Sequence, residues 1–177
     1  MVKQTMRCKV CKDKFKPKYL LQKVCLQPSC ILEWSNKVKD KEWKAEKKQL
    51  KDKLKTYSDH VKELQVIFNR FIRFRDKDKG CISCGTPLVS KYDAGHYYSC
   101  GGNPELRFHE DNCFGQCVYC NQHRHGALLD YTERLPNRIG FCKFAELKKL
   151  RGKPMKYSIP ELIELKVIFK DKIKKLQ

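Results

Sequence analysis

No run of apolar residues in this chain approaches the roughly 18 that a membrane-spanning helix needs, so a bilayer is not an expected partner. The stretch from Met1 to Tyr19 is polar and lysine-rich, unlike the apolar core of a secretory signal. Acidic residues are scarce: 20 Asp+Glu stand against 39 Lys+Arg, for a formal charge of +19. Charge of that size speaks of partners and solubility rather than fold, and a polyanion such as nucleic acid is the expected partner. Glycine and proline are absent from Ile31 to Lys79, which removes the usual breakers and predicts a long helix there.

Cysteine, by contrast, is plentiful. Eleven cysteines without an export signal point to metal ligation in a reducing compartment, so a cytoplasmic location is expected. Cys81/Cys84 and Cys117/Cys120 form two Cys-x-x-Cys pairs with 32 residues between them. Zn²⁺ prefers a tetrahedron of soft ligands, and two such turns complete it with no open position, as in a structural site. The alternative is a redox dithiol or disulfide. Cys8, Cys11, Cys25 and Cys30 make a second set, read as an amino-terminal zinc finger with Phe15, Tyr19, Leu20 and Leu21 as its small apolar cluster. Scattered thiols are the bland alternative. The basic residues interleaved between Lys3 and Lys23 suit backbone phosphates.

Charge is uneven along the chain. Residues 1–79 carry 23 basic and 10 acidic side chains, and residues 80–177 carry 16 and 10. The first part is therefore expected to grip the phosphate backbone. Within it Trp43, Leu50, Leu54, Tyr57, Val61, Leu64, Phe68 and Phe71 follow a heptad spacing. Such a seam either packs on the rest of the monomer or pairs with a second copy as a homodimer through residues 43–71. Lysines from Lys37 to Lys55 face only Asp40, Glu42, Glu46 and Asp52 in the same stretch, too few to neutralise them. Phe68, Phe71 and Phe74 read as core rather than stacking platforms. Arg70, Arg73 and Arg75 approach the second cysteine set and are candidate phosphate contacts, as are Arg107 and Arg124.

Four segments result: an amino-terminal zinc finger over 1–32, a long basic helix over 33–79, a finger over 80–135 and a helical segment over 136–177. In the finger, residues 101–104 are expected to join two strands, with Leu106 to Phe108 beginning the return. A helix to about Leu135, a break over Pro136 to Gly140, a helix over Phe141 to Leu150 and an amphipathic helix over Ile159 to Lys175 should follow. The fold class is α+β.

Between the second cysteine pairs lie His96, then Asn112 five residues before Cys117, then Asn121 directly after Cys120. This order resembles the HNH nuclease signature, whose fold is a ββα-metal finger clasping one catalytic divalent ion. The resemblance implies His96 as general base, Asn112 as the residue orienting it, and Asn121 as a metal ligand. An imidazole suits deprotonation of water near neutral pH. A Mg²⁺- or Mn²⁺-like ion with oxygen ligands would offset charge on the phosphate and leaving 3′ oxygen. The family usually has Asp or His directly before the base, whereas Gly95 stands there. Asp93 is the nearest carboxylate and is read as a metal ligand, if a bulge or turn at Gly95 brings it to the side of His96. His96 itself coordinating the ion is the alternative.

Taken whole, the segments CKVCKDKFKPKYLLQKVC, FIRFRDK, DAGHY, LRFHEDN and QCVYCNQH resemble the phage NinG/Rap family of recombination endonucleases. That resemblance implies a phage-encoded enzyme in the bacterial cytoplasm. It would hold two structural Zn²⁺ ions and a catalytic Mg²⁺ or Mn²⁺, and cut branched DNA such as D-loops and Holliday junctions. After the finger a Ser-Gly-Asn-Leu-like run is expected and His125, Gly126, Ala127, Leu128 stand instead. Two other functions compete: a non-catalytic zinc-containing DNA-binding accessory protein, and a sequence-specific HNH endonuclease.

Overall fold

A computed structural model describes residues 5–153 and 155–177. The chain forms two compact units, Met1–Lys55 and Thr56–Gln177.

In the first unit two short strands, β1 (Met6–Arg7) and β2 (Lys14–Phe15), pair antiparallel with Met6 opposite Phe15. The turn between them carries Cys8 and Cys11 and closes through Cys8 N–H to the Asp13 carbonyl at 2.8 Å. Helix α1 (Pro28–Lys53) begins with Pro28, whose fixed φ and missing N–H cost nothing in a first turn. The core is small: Cys8, Val24 and Cys30, with Phe15 and Trp34 packed against them. Phe15 is where the sequence puts it, but Tyr19, Leu20 and Leu21 are 59%, 79% and 81% exposed and do not fill this core. Gln22 is buried instead, its amide accepting from Lys18 N–H at 2.7 Å and donating to the Val24 carbonyl at 2.8 Å. So short a loop has room to bury one ordered polar side chain but no row of large ones.

The single helix expected over 33–79 divides in two. Helix α2 (Tyr57–Asp76) starts afresh at Thr56, which forms a capping box with Asp59: the Thr56 hydroxyl accepts from Asp59 N–H, and the Asp59 carboxylate from Thr56 N–H. A reciprocal cap satisfies two terminal N–H groups and stops a helix without glycine or proline. The heptad seam is split with it. Leu64, Phe68 and Phe71 lie in the core of the second unit, whereas Trp43, Leu50 and Leu54 stay 59%, 52% and 79% exposed. The 64–71 part of the seam is therefore used within the monomer.

The second unit is built on one antiparallel hairpin, β3 (Tyr92–His96) and β4 (Cys113–Cys117), in unbroken register from Tyr92 opposite Cys117 to His96 opposite Cys113. One face meets α2 and the last helix, α5 (Ile159–Lys175), over Leu64, Phe68, Phe71, Ile72, Leu162 and Phe169. Phe68 and Phe169 meet edge to face, 5.0 Å between centroids. The other face meets α3 (Leu128–Ile139) and α4 (Phe141–Leu150) over Ile82, Phe114, Tyr131, Leu135, Phe144 and Leu147. Strand alternation sends Cys113 to the first layer and Phe114 to the second.

Two boundaries differ from the sequence reading. The return strand starts at Cys113, because residues 104–106 and 110–112 form 3₁₀ turns. Helix α3 runs through the buried Pro136 and ends at Gly140, whose φ of +88° suits glycine and whose N–H reaches the Pro136 carbonyl at 2.8 Å. Among the described residues no helix is long and apolar enough to cross a membrane.

Candidate functional site

Both cysteine sets close in space. The ligand atoms of Cys8, Cys11, Cys25 and Cys30 lie within 4.8 Å of one another, and so do those of Cys81, Cys84, Cys117 and Cys120. The Cys11–Cys25 and Cys84–Cys117 sulfur separations are both 3.9 Å. A tetrahedron with metal–sulfur bonds of about 2.3 Å has edges of about 3.8 Å, whereas a disulfide needs about 2.05 Å. These clusters therefore fit zinc, and all eleven cysteines are free thiols. Backbone N–H groups point at the sulfurs: Val10 and Cys25 toward Cys8 at 3.5 and 3.4 Å, Cys117 toward Cys81 at 3.4 Å, Cys120 toward Cys117 at 3.4 Å.

Electrostatics within each cluster call for a cation. At Cys84, burial pushes the thiol up, but the Thr86 hydroxyl at 3.2 Å and N–H bonding prevail and hold it at about 6. Cys8 is likewise held at about 6, burial being outweighed by N–H bonds from Cys25 and Val10. Burial and neighbouring thiols push Cys120 and Cys30 up. One sulfur in each set thus ionises readily while others resist until a positive ion joins them.

Directly after Cys120 the chain makes a π-helical turn, Tyr119–His123, that turns two amides toward β3. Asn121 Nδ2 donates to Asp93 Oδ2 at 2.9 Å, and Gln122 Nε2 donates to the same oxygen at 2.7 Å. Asp93 and Asn121, both named from sequence, are therefore neighbours. Gln122 joins them without having been singled out, although its place beside Asn121 was the available signal.

Asn112 is fully buried and clasps the loop between the strands. Its side chain accepts from Tyr98 N–H at 2.8 Å and donates to the Tyr98 and Leu106 carbonyls at 3.0 Å each. Tyr97 N–H reaches the Asn112 carbonyl at 2.8 Å, tying the residue after His96 to the same clasp.

His96 lies elsewhere. The regular register leaves no bulge at Gly95, so Asp93 and His96, three apart, point to opposite faces. Glycine at 95 has another cause: a Cβ there would lie 2.1 Å from Gln116 Oε1. Gln116 is buried, and its amide donates to Ser83 Oγ at 2.7 Å and the Gly126 carbonyl at 2.6 Å, bracing both ends of the second cysteine cluster. The His96 ring sits 6.0 Å from the Phe68 ring, with Nε2 2.9 Å from the Arg107 carbonyl and Nδ1 3.7 Å from Cys113 Sγ. Burial lowers its pKa, partly offset by the Arg107 carbonyl.

The five arginines separate by environment. Arg70 is exposed, and Arg73 is half-buried at the end of α2. Arg75 turns inward: it forks onto Asp76 at 2.8 and 2.7 Å and donates to the Glu110 and Cys113 carbonyls at 3.0 and 2.8 Å, so its donors face the protein and not a phosphate. Arg107 reaches Gln65 and the Cys100 carbonyl at 3.4 and 3.2 Å. Arg124 pairs with Asp130 at 2.7 Å on the surface.

The family described as "Bacteriophage Lambda NinG protein" matches residues 2–177. Protein ninG of Escherichia phage 933W is 36% identical over 188 residues, covering 97% of this chain and 93% of that protein. The Protein ninG of Escherichia phage lambda and that of Salmonella phage P22 are each 37% identical over 191 residues, at the same coverage. No solved structure matches. With the match spanning nearly the whole sequence and both cysteine sets, the chain belongs to the NinG family of bacteriophage proteins.

Proposed function

We propose that this protein is a metal-dependent endonuclease of the HNH type that cuts branched DNA, D-loops and Holliday junctions, during recombination. The observation that carries the reading is the gathering of Asn121 and Gln122 onto Asp93, beside a cysteine cluster that fits zinc. A carboxylate and two amides are hard oxygen donors once each amide turns its oxygen inward. An ion held by Asp93 and Asn121 would supply charge compensation to a phosphodiester under attack. Asn112 is the positioning residue, through the loop it clasps. The resemblance makes His96 the general base: with Nε2–H bonded to the Arg107 carbonyl, Nδ1 is the nitrogen that would accept the proton, and burial favours the neutral ring. The role requires the ring to turn away from Cys113 Sγ, 3.7 Å from Nδ1. The formal charge of +19 supports a nucleic-acid partner. Cations that greatly outnumber base-reading groups favour recognition by shape and deformability.

The second reading is a non-catalytic DNA-binding accessory protein, and the placement of His96 favours it. Its Nδ1 faces Cys113 within the α2 layer, on the face of β3 opposite Asp93. Incubating labelled linear, D-loop and four-way DNA with Mg²⁺, Mn²⁺ or EDTA separates the two. The enzyme cuts the branched substrates with either metal and not in EDTA, and Asp93→Ala and His96→Ala each abolish cutting while retaining binding. Binding without cutting under every condition establishes the accessory role.

A further inference from the structure

A groove between the carboxyl end of α2 and the segment leading into β3 lies apart from both cysteine clusters and shares with the sites above only the candidate phosphate contact Arg73. It is lined by Arg73, Phe74, Lys77, Ser90, Lys91 and Tyr92, opens widely to solvent and has a volume of about 360 Å³. Three of these six side chains are cationic, two are aromatic, and none is a carboxylate. Arg70 adds a further cation, its guanidinium 5.4 Å from the Phe74 centroid. The Tyr92 ring is held in place, since its hydroxyl donates to the Arg73 carbonyl at 2.6 Å. Of the nearby acids, Asp76 is buried and committed to Arg75 and the Gly115 N–H, and Asp78 pairs with Lys77 only loosely, at 4.0 Å between two exposed side chains.

A volume of this size lies at the small end of the range for ligand sites, roughly 300–1,000 Å³, and excludes a duplex. Cations beside rings match the two chemical halves of a nucleotide: a phosphate for the arginine and lysines, and a flat apolar face for the rings. A bare anion would have no use for the rings, and an apolar peptide none for the cations. A paired base keeps its faces stacked within the helix, so the base that fits is an unpaired one. With Ser90 the one hydroxyl free of such a tie among the lining groups, the choice of base is loose.

We propose that this groove holds one unpaired nucleotide of a DNA strand, its base against Phe74 and Tyr92 and its phosphate at Arg73, Lys77 and Lys91. The inference rests on the nucleic-acid reading above and deepens it, because branch points and bulges are where DNA presents such a nucleotide.

The test is done without added Mg²⁺ or Mn²⁺, so that binding is read without cutting and the zinc stays in place. The full-length, zinc-loaded protein is titrated against a duplex carrying 2-aminopurine in a one-nucleotide bulge, and against the same duplex fully paired. The expected result is a change in 2-aminopurine emission on binding the bulge that Phe74→Leu removes. Lys91→Glu should also weaken bulge binding about tenfold more than Lys149→Glu, an exposed change of equal charge on α4. If Phe74→Leu fails to fold, the two lysine variants decide. Wild-type protein that binds DNA with no emission change, or equal effects of the two lysine variants, overturns the groove and leaves the nuclease reading standing. Failure to bind DNA of any form overturns both.

Discussion

Asp76 and Gly115 join the last turn of α2 to the middle of β4: the Asp76 carboxylate, with no exposed surface, accepts the Gly115 N–H at 2.9 Å. The close approach depends on glycine, since a Cβ at 115 would lie 2.7 Å from Leu88 Cδ1 and 3.1 Å from Asp76 Cβ. The same carboxylate receives the Arg75 fork, so one buried acid aligns a helix, a strand and the loop behind them. Replacing Asp76 by Ala leaves a largely buried guanidinium without its counter-charge, which costs about 3–5 kcal/mol. Urea denaturation of the zinc-loaded protein should show that loss, and a loss below about 1 kcal/mol would mean Arg75 re-pairs elsewhere.

Asn112→Ala should loosen the loop between the strands more than it perturbs the helices. It removes the partner of the Tyr98 N–H and of the Tyr98 and Leu106 carbonyls. Each buried group left unpaired costs about 1–3 kcal/mol. Amide exchange should accelerate over residues 97–112 first, with α2 and α5 still protected. Uniform acceleration across the unit would instead make Asn112 a part of the global core.

Metal analysis should find two zinc ions per chain. Cys84→Ser should leave one, because the set at Cys8, Cys11, Cys25 and Cys30 closes by itself. Protons compete with zinc for the thiolates, so acidification releases metal as a chelator does. Retention of two ions by the Cys84→Ser protein would remove the second cluster as a zinc site.

His96 should titrate below the ordinary histidine value of about 6.5, because burial disfavours the charged ring. A group whose folded pKa is depressed contributes its stability in full above the unfolded value and loses it as pH falls toward the folded one. Zinc-loaded protein should therefore lose stability below about pH 6.5, and His96→Gln should flatten that slope. The ring resonances followed by NMR give the pKa directly. A value at or above 6.5 would place the ring in water.

Thr56→Ala should cost about 1 kcal/mol through loss of the cap at the start of α2. Circular dichroism should register a lower melting temperature without gain of helix. A gain would mean that α1 and α2 fuse across Lys55 when the cap is removed.

Much of this architecture is written in local pattern. Cysteine spacing names both zinc-fitting clusters, because knuckle geometry depends on a few consecutive residues. The bounds of the last helix, Ile159–Lys175, follow from its amphipathic spacing and the Ser158 cap. Asp93 and Asn121 were identified singly, through the resemblance to the HNH signature. Their meeting, 28 positions apart, depends on the hairpin register and the π-helical turn.

Tertiary structure settled what pattern left open or misread. The heptad seam could not reveal its partner, and α5 took the 64–71 part of it. Arg75, basic and near the finger, was a natural phosphate contact until Asp76 and two carbonyls turned it inward. Glycine at 95 read as a bend, and it is room for Gln116. Short-range geometry is encoded residue by residue and can be read from the chain. Which face a side chain occupies, and what fills the space opposite, depends on segments distant in sequence that meet only when the chain folds.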